Sequence, residues 1–111
     1  MKEGEIVLAD LLNSDGKFKK RPALILKVLP KYGDLLVCGV STQIHQLLPD
    51  FDLLLSTQSN DFQTSGLIKE SIIKLGFISV LPTQFIEGTL GNISKESHKL
   101  LIKRLCDYLM K

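Results

Sequence analysis

Apolar residues occur in short runs separated by polar, turn-forming segments, and this spacing predicts a chain built mainly from β-strands. The runs are rich in Leu, Ile and Val, and most are too short for a helix of typical length. Residues 56–65 are polar and rich in turn formers, so we expect an exposed loop with no regular element there. The predicted strands cover residues 5–10, 23–29, 34–43, 51–55, 69–75, 77–81 and 86–93.

The C-terminal segment has the spacing of an amphipathic helix. Ser94 is a good N-cap, and the apolar positions after it form one broad stripe on a helix of about four turns. Several short strands with one terminal helix predict a mainly β fold with a C-terminal α-helix, namely a small, SH3-like, mostly antiparallel β-barrel over the single domain 1–111. We expect the stripe to pack over the barrel as core; it consists of Leu100, Leu101, Ile102, Leu105, Cys106 and Leu109.

Residues 19–43 predict a β-hairpin, and the rest of the chain is organised around it. Two apolar runs flank the segment 30–33, where Pro and Gly supply turn chemistry. We expect Leu29 to pair with Asp34 next to this turn. Gly39 in the second strand indicates a bulge or a close approach of another backbone.

The open end of the hairpin is the predicted functional centre. The register set at the turn places Pro22 opposite Ser41 and Arg21 opposite Thr42, and a bulge of one residue places Arg21 opposite Ser41 instead. In either register a guanidinium lies beside two hydroxyls and the amide of Gln43. Arginine offers a planar fork of donors that suits phosphate, so this arrangement predicts an anion site.

A basic cluster leads directly into this predicted site. Lys17, Lys19 and Lys20 precede Arg21 and would attract a phosphate backbone, which makes them candidate nucleic-acid ligands. The alternative is a solvated basic loop with no such role. The net charge is only +2, from 14 basic and 12 acidic residues, so any RNA or DNA contact must use local clusters.

Composition predicts an ordinary globular protein. A chain of 111 residues with 44% hydrophobic and 23% charged residues can bury a core without a disulfide or a metal. Cys38 and Cys106 lie in no metal-ligand spacing, so we expect two buried free thiols, with a disulfide as the alternative. No apolar run approaches the roughly 20 residues of a membrane span and the N-terminus lacks a signal-peptide pattern, so a cytoplasmic protein without a membrane partner is predicted.

Four motifs in order resemble the MazF/PemK family of bacterial toxins. The first loop departs from the family pattern, since relatives often have a Gly-Ser-Glu-Gln-like loop where this chain has Ser14-Asp15-Gly16-Lys17. The motifs are Gly4-Glu-Ile-Val-Leu-Ala-Asp10, then Arg21-Pro-Ala-Leu-Ile-Leu with Val40-Ser-Thr-Gln, then Ser65-Gly-Leu with Ser71-Ile-Ile-Lys-Leu, and Thr89-Leu-Gly-Asn-Ile-Ser94.

The resemblance implies the toxin of a type II toxin-antitoxin system. Such a toxin is a metal-independent endoribonuclease that cleaves single-stranded RNA without a cofactor, and it is usually a homodimer neutralised by a cognate antitoxin protein. The ribose 2′-OH attacks the adjacent phosphate, which needs a base, a proton for the leaving 5′-oxygen and positive charge on the phosphate. Arg21 suits the last role, Ser41 or Thr42 would hold the phosphate, and Gln43 and Lys74 would contact RNA.

The general base is the point at which this sequence departs from its relatives. Some of them carry an arginine followed two positions later by an acid, whereas this chain has Lys74 and then Gly76. Asp15, Glu70 and His45 are the candidate replacements. The departure leaves an alternative open: a catalytically weak or inactive member that acts as an RNA- or protein-binding module.

Partners follow from the same reasoning. An acidic or amphipathic antitoxin segment laid along the anion site would block it. One segment has more apolar residues than a single strand face can bury, and we expect a dimer to bury them. The alternative is that these residues complete the core of the barrel. These residues are Leu47, Leu48, Phe51, Leu53, Leu54 and Leu55.

Overall fold

A computed structural model describes all residues, 1–111, and contains six strands and two α-helices. The strands form one antiparallel sheet in the order β4-β5-β3-β2-β1-β6, which curls into a half-barrel with α2 packed against it. This confirms the predicted mainly β, antiparallel fold with a C-terminal helix. The elements are β1 (Glu5–Leu12), β2 (Phe18–Val28), β3 (Leu35–Ser41), β4 (Leu53–Leu55), α1 (Phe62–Ser65), β5 (Ser71–Leu81), β6 (Ile86–Asn92) and α2 (Lys95–Leu109).

Strand β2 lies at the centre of the sheet and is covered on both faces. Its residues alternate between two apolar layers, so Leu24 and Leu26 pack on the side of α2 while Ala23 and Ile25 pack on the other side. All four side chains are fully buried. The nearly continuous apolar run is therefore explained by a strand that has a core on each face.

The two strands predicted over 69–75 and 77–81 are one strand, β5, interrupted by a bulge. Cys38 of β3 lies opposite Ile78, but the next residue, Gly39, lies opposite Lys74, so three residues of β5 intervene. A Cβ atom added to Gly39 would lie 3.3 Å from the Cβ of Phe77. The sequence predicted a close approach at Gly39, and the segment that approaches it is the bulge of β5, through Phe77.

The prediction of a loop without regular structure over 56–65 is wrong, because α1 lies within it. Its backbone packs directly on β6: a Cβ atom at Gly91 would collide with the carbonyl oxygen of Thr64, and one at Gly66 with the carbonyl oxygen of Leu90. Thr64 Oγ1 also donates to the carbonyl of Asn92 at 3.0 Å. Local polarity could not reveal this element, since contacts with a distant strand hold it in place.

Helix α2 begins as expected but buries less of its stripe. Ser94 caps the helix by accepting a hydrogen bond from the Ser97 N–H at 3.1 Å. Only Leu101 and Leu105 are buried, because one narrow face of the helix contacts the sheet. The prediction of core positions is wrong for Leu100, Cys106 and Leu109, which are exposed.

The two cysteines are free, but only one is buried. Burial raises the pKa of the Cys38 thiol well above its usual range, so this thiol stays protonated. Cys106 is exposed on α2, which corrects the prediction of two buried thiols. Neither helix is long and apolar enough to cross a membrane.

Candidate functional site

The pairing of β2 with β3 changes register along the hairpin. Next to the turn, the N–H of Leu29 donates to the carbonyl of Asp34 at 2.8 Å, as the sequence predicts. A bulge at Leu26 then shifts the register by one residue, so that Ala23 lies opposite Gly39. The bulge of the hairpin thus lies in β2, while at Gly39 of β3 the structure shows the other predicted alternative, a close approach.

Continuing this register by two residues places Arg21 opposite Ser41, which is the second of the two predicted arrangements. Both residues line two adjoining hollows at the open end of the hairpin. The first, which we term the anion hollow, has a volume of about 300 Å³. Its polar lining consists of Arg21, Ser41, Thr42, Gln43, Lys69 and Ser71.

The second, termed the loop hollow, has a volume of about 480 Å³ and lies toward the β1–β2 loop. Asn13 and Ser14 of that loop line it together with Leu11, Leu12 and Phe77. It shares Arg21 and Ser41 with the anion hollow. The guanidinium and the hydroxyl therefore stand at the junction of two solvent-open spaces.

Arg21 is held in place by an amide that the sequence analysis did not single out. Its Nε donates to Asn13 Oδ1 at 3.1 Å. The backbone of Asn13 is itself fixed, since its N–H donates to the carbonyl of Lys17 at 2.7 Å and its carbonyl accepts from the N–H of Gly16 at 3.0 Å. No ion pair engages the guanidinium, so its terminal nitrogens are free to donate to an anion.

Two hydroxyl groups lie at the end of β3, on Ser41 and on Thr42, the residue that follows the strand. Ser41 Oγ accepts a hydrogen bond from the N–H of Gln43 at 3.0 Å, which leaves its own proton free to donate. Thr42 is exposed, and its carbonyl accepts from the N–H of Ile44, where a 3₁₀ turn begins. The hairpin thus presents two hydroxyls and an amide beside Arg21.

The anion hollow contains two cations and no carboxylate. Arg21 comes from β2, and Lys69 comes from the segment before β5. Ser71 is almost fully buried, and its Oγ donates to the carbonyl of Lys69 at 2.9 Å, which fixes the backbone of that lysine. Sequence reasoning missed Lys69, although it follows the Ser-Gly-Leu motif by two residues. The electrostatic environment favours an anion.

The lysines predicted to bind RNA lie outside the anion hollow. Lys20 pairs with Glu87 at 3.0 Å and with Asp10 at 3.2 Å. The hydrogen bond to Glu87, followed by that to Asp10, raises the pKa of the Lys20 ammonium. Lys17 and Lys19 are exposed and form no ion pair.

Lys74 lies nearer to the site, at the bulge of β5. Its ammonium group donates to Gln46 Oε1 at 3.3 Å and lies 5.5 Å from the ring centroid of Phe77, which lines the loop hollow. Lys74 itself lines neither hollow.

None of the three candidate acid-base residues lines either hollow. The carboxylate of Asp15 accepts from the N–H of Lys17 at 2.9 Å within its own turn. The carboxylate of Glu70 accepts from the N–H of Thr57 at 3.1 Å. His45 is exposed in the 3₁₀ turn after β3. Side chains that could stabilise negative charge are brought together, and those that could act as a base are not.

A separate apolar hollow of about 700 Å³ lies at the end of α2, and we term its lining the apolar surface. Ile78 and Leu109 are 41% and 69% exposed there. Both signs of charge surround it, from Asp50 and Asp107 and from Arg104 and Lys111. The apolar lining consists of Leu48, Pro49, Phe51, Ile78, Leu105 and Leu109, with the ring of Tyr108.

Comparison with known proteins places this arrangement in context. Residues 2–109 match the family described as "PemK-like, MazF-like toxin of type II toxin-antitoxin system". Among solved structures, the Mycobacterium tuberculosis toxin MazF-mt6 is similar, with a TM-score of 0.70, 19% sequence identity and 95% of each chain covered. At this identity the likeness concerns the fold alone. No curated protein matches the sequence.

Proposed function

Because this chain belongs to the family of PemK-like, MazF-like toxins of type II toxin-antitoxin systems, we propose that it is a metal-independent endoribonuclease that cleaves single-stranded mRNA. The observation that carries this proposal is the anion hollow, where Arg21 and Lys69 meet the Ser41 and Thr42 hydroxyls without a carboxylate. A phosphodiester is the ligand that such a donor set fits. An mRNA substrate also implies that the toxin acts in the cytoplasm.

In the proposed reaction, the scissile phosphate lies in the anion hollow. The terminal nitrogens of Arg21 and the hydroxyl of Ser41 donate to its non-bridging oxygens, and Asn13 keeps the guanidinium oriented. The ribose 2′-oxygen attacks phosphorus, the bond to the 5′-oxygen breaks, and a 2′,3′-cyclic phosphate and a 5′-hydroxyl form. Charge on the phosphoryl oxygens grows in the transition state, so donors already in place lower the barrier.

Proton transfer in this mechanism involves water. The 2′-hydroxyl proton passes to a water molecule and the leaving 5′-oxygen receives its proton from another, because Asp15, Glu70 and His45 lie outside both hollows. General acid-base catalysis by a side chain typically contributes 10²–10⁴-fold. We therefore expect a slower enzyme than a relative that keeps an acid near the phosphate.

The direct test is incubation of the purified protein with a long single-stranded RNA in the presence of EDTA. We expect discrete cuts that chelator does not affect and that Arg21→Ala reduces by about 10²–10³-fold, the typical effect of losing one preorganised donor. Lys95→Ala, an exposed cation at the start of α2 that lines neither hollow, is the matched control and should cut like the parent. Equal cutting by Arg21→Ala and the parent would reject the proposal.

The absence of an acid from both hollows favours a second candidate function, an RNA-binding module. Its signature in the same experiment is RNA that remains intact but is retained by the protein, with retention lost in Arg21→Ala. Several RNA sequences must be sampled, because a selective nuclease cuts only where its recognition sequence occurs.

The partners proposed for the toxin correspond to two different surfaces. A cognate antitoxin would present an acidic segment to the anion hollow and compete with RNA there. A second copy of the chain would cover the apolar surface, which carries both signs of charge and can therefore pair with the same surface of an identical chain. The homodimer would bury Leu48 and Phe51, two of the residues that the sequence indicates for this role.

A further inference from the structure

The segment 67–69, which we term the rim, carries an apolar side chain with no partner. Ile68 is 95% exposed, the largest exposed fraction among the large apolar residues of the molecule. Its neighbours Leu67 and Lys69 line the anion hollow with it. A single exposed apolar side chain is common on protein surfaces; Ile68 differs from the others in lying beside a hollow lined by two cations.

The rim is fixed at both ends, so its exposure does not reflect a frayed loop. At one end, the N–H of Leu67 donates to Ser65 Oγ at 3.1 Å, and Gly66 lies against the backbone of Leu90. At the other end, the buried hydroxyl of Ser71 holds the carbonyl of Lys69. Ile68 is therefore exposed to solvent although the backbone on both sides of it is fixed by hydrogen bonds and packing.

The sheet order places the rim across the hollow from Arg21. Strand β3 lies between β2 and β5, so Ser41 stands between the strand that carries Arg21 and the strand that Lys69 precedes. Neighbouring strands are about 4.8 Å apart, so about 10 Å separates the strand that carries Arg21 from the strand that Lys69 precedes, and both side chains line the hollow between them. A single strand of RNA that places one phosphate at Arg21 thus brings a neighbouring phosphate toward Lys69.

We propose that the rim binds the nucleotide next to the cleaved phosphate, with Lys69 paired to its phosphate and Ile68 packed on the face of its base. This inference rests on the proposed RNA substrate but not on its cleavage. A base offers an apolar face to any side chain, so packing on Ile68 adds affinity and, through the size and shape of the base, a preference among sequences. The cation adds salt-dependent affinity that does not depend on sequence.

The test is binding of a fluorescein-labelled, mixed-sequence 2′-O-methyl RNA of about twelve nucleotides, measured by anisotropy at several salt concentrations. This RNA lacks the attacking hydroxyl, so the measurement does not depend on catalysis. Lys69→Ala should weaken binding and make the slope of log K against log salt shallower by about 0.7, the value for one phosphate contact on a single strand. Ile68→Ser should weaken binding about three- to tenfold and leave the slope unchanged.

Two exposed residues away from the hollow serve as matched controls. Lys95→Ala controls for the loss of one positive charge, and Met110→Ser for the loss of one exposed apolar side chain. Both should bind RNA like the parent. The inference is overturned if either rim variant binds like the parent, or if a control loses as much affinity as its rim counterpart. If no RNA is cut by the parent but the rim variants still lose affinity, the nuclease proposal fails and the rim assignment stands.

Discussion

At the scale of single residues, activity at the anion hollow depends on how Arg21 is held. An exposed guanidinium samples many rotamers, and each one lost on binding costs free energy. The hydrogen bond from its Nε to Asn13 restricts this freedom before RNA arrives and leaves the terminal nitrogens to donate. Asn13 therefore acts through Arg21 and is a positioning residue.

We predict that Asn13→Ala lowers kcat about tenfold, less than Arg21→Ala, because the cation remains but loses its orientation. In the double variant Asn13→Ala with Arg21→Ala, cleavage should be no slower than in Arg21→Ala alone, since the amide has no remaining partner. Single-turnover cleavage rates on one short RNA compare the two single variants and the double variant. Additive losses in the double variant would show that Asn13 acts independently of Arg21.

At the scale of elements, the short helix α1 and strand β6 determine where the rim begins. Gly91 of β6 lies so close to the backbone of α1 that a side chain does not fit, and Gly66 completes the contact from the other side. Phe62 of α1 packs against the hydrophobic core, and the backbone contact with β6 adds to this in a helix of only four residues.

Gly91→Ala should therefore destabilise the protein by about 1–3 kcal/mol, because its new methyl group forces α1 away from β6. Gly88→Ala on the same strand is the matched control: an added Cβ meets no atom within 4 Å, so stability should change by less than about 0.5 kcal/mol. Urea unfolding midpoints compare the two variants. Equal midpoints would contradict the close packing of α1 on β6.

The sequence predicted those elements whose pattern is local and missed those that depend on distant contacts. The hairpin, its turn and the terminal helix follow from periodicity and capping, and the alternative of a one-residue bulge anticipated that Arg21 lies opposite Ser41. Lys69 and Asn13 were missed because their roles depend on which loops the curled sheet brings to its open end. The sequence prediction placed too many apolar residues of α2 in the core. Periodicity indicates which face of a helix is apolar, but it does not indicate how much of that face another element covers.

At the scale of the whole molecule, the apolar surface lies apart from the anion hollow. The two share no lining residue, so a second copy of the chain can cover one while RNA occupies the other. This separation predicts that the dimer is present both with and without RNA.

Leu109→Glu should convert the proposed dimer of twice 12.4 kDa into a monomer at micromolar concentration, because a charge on the apolar surface would be buried against the second copy. Leu109 is already exposed in the single chain, so the fold should persist. Tyr32→Glu, at the exposed turn between β2 and β3, is the control and should remain a dimer. Size-exclusion chromatography with light scattering reports the mass. A monomeric parent protein would contradict the prediction.

If the anion hollow promotes attack of a ribose 2′-hydroxyl on the phosphate beside it, removing that one hydroxyl must abolish cleavage. The most direct measurement compares a short RNA containing one mapped cut site with the same RNA carrying a single 2′-deoxyribose on the 5′ side of that cut, in EDTA. We predict that the parent RNA yields a 2′,3′-cyclic phosphate and a 5′-hydroxyl by mass spectrometry, whereas the deoxy-substituted RNA binds with similar affinity and stays intact. Cleavage of the deoxy-substituted RNA at the same position would contradict the account.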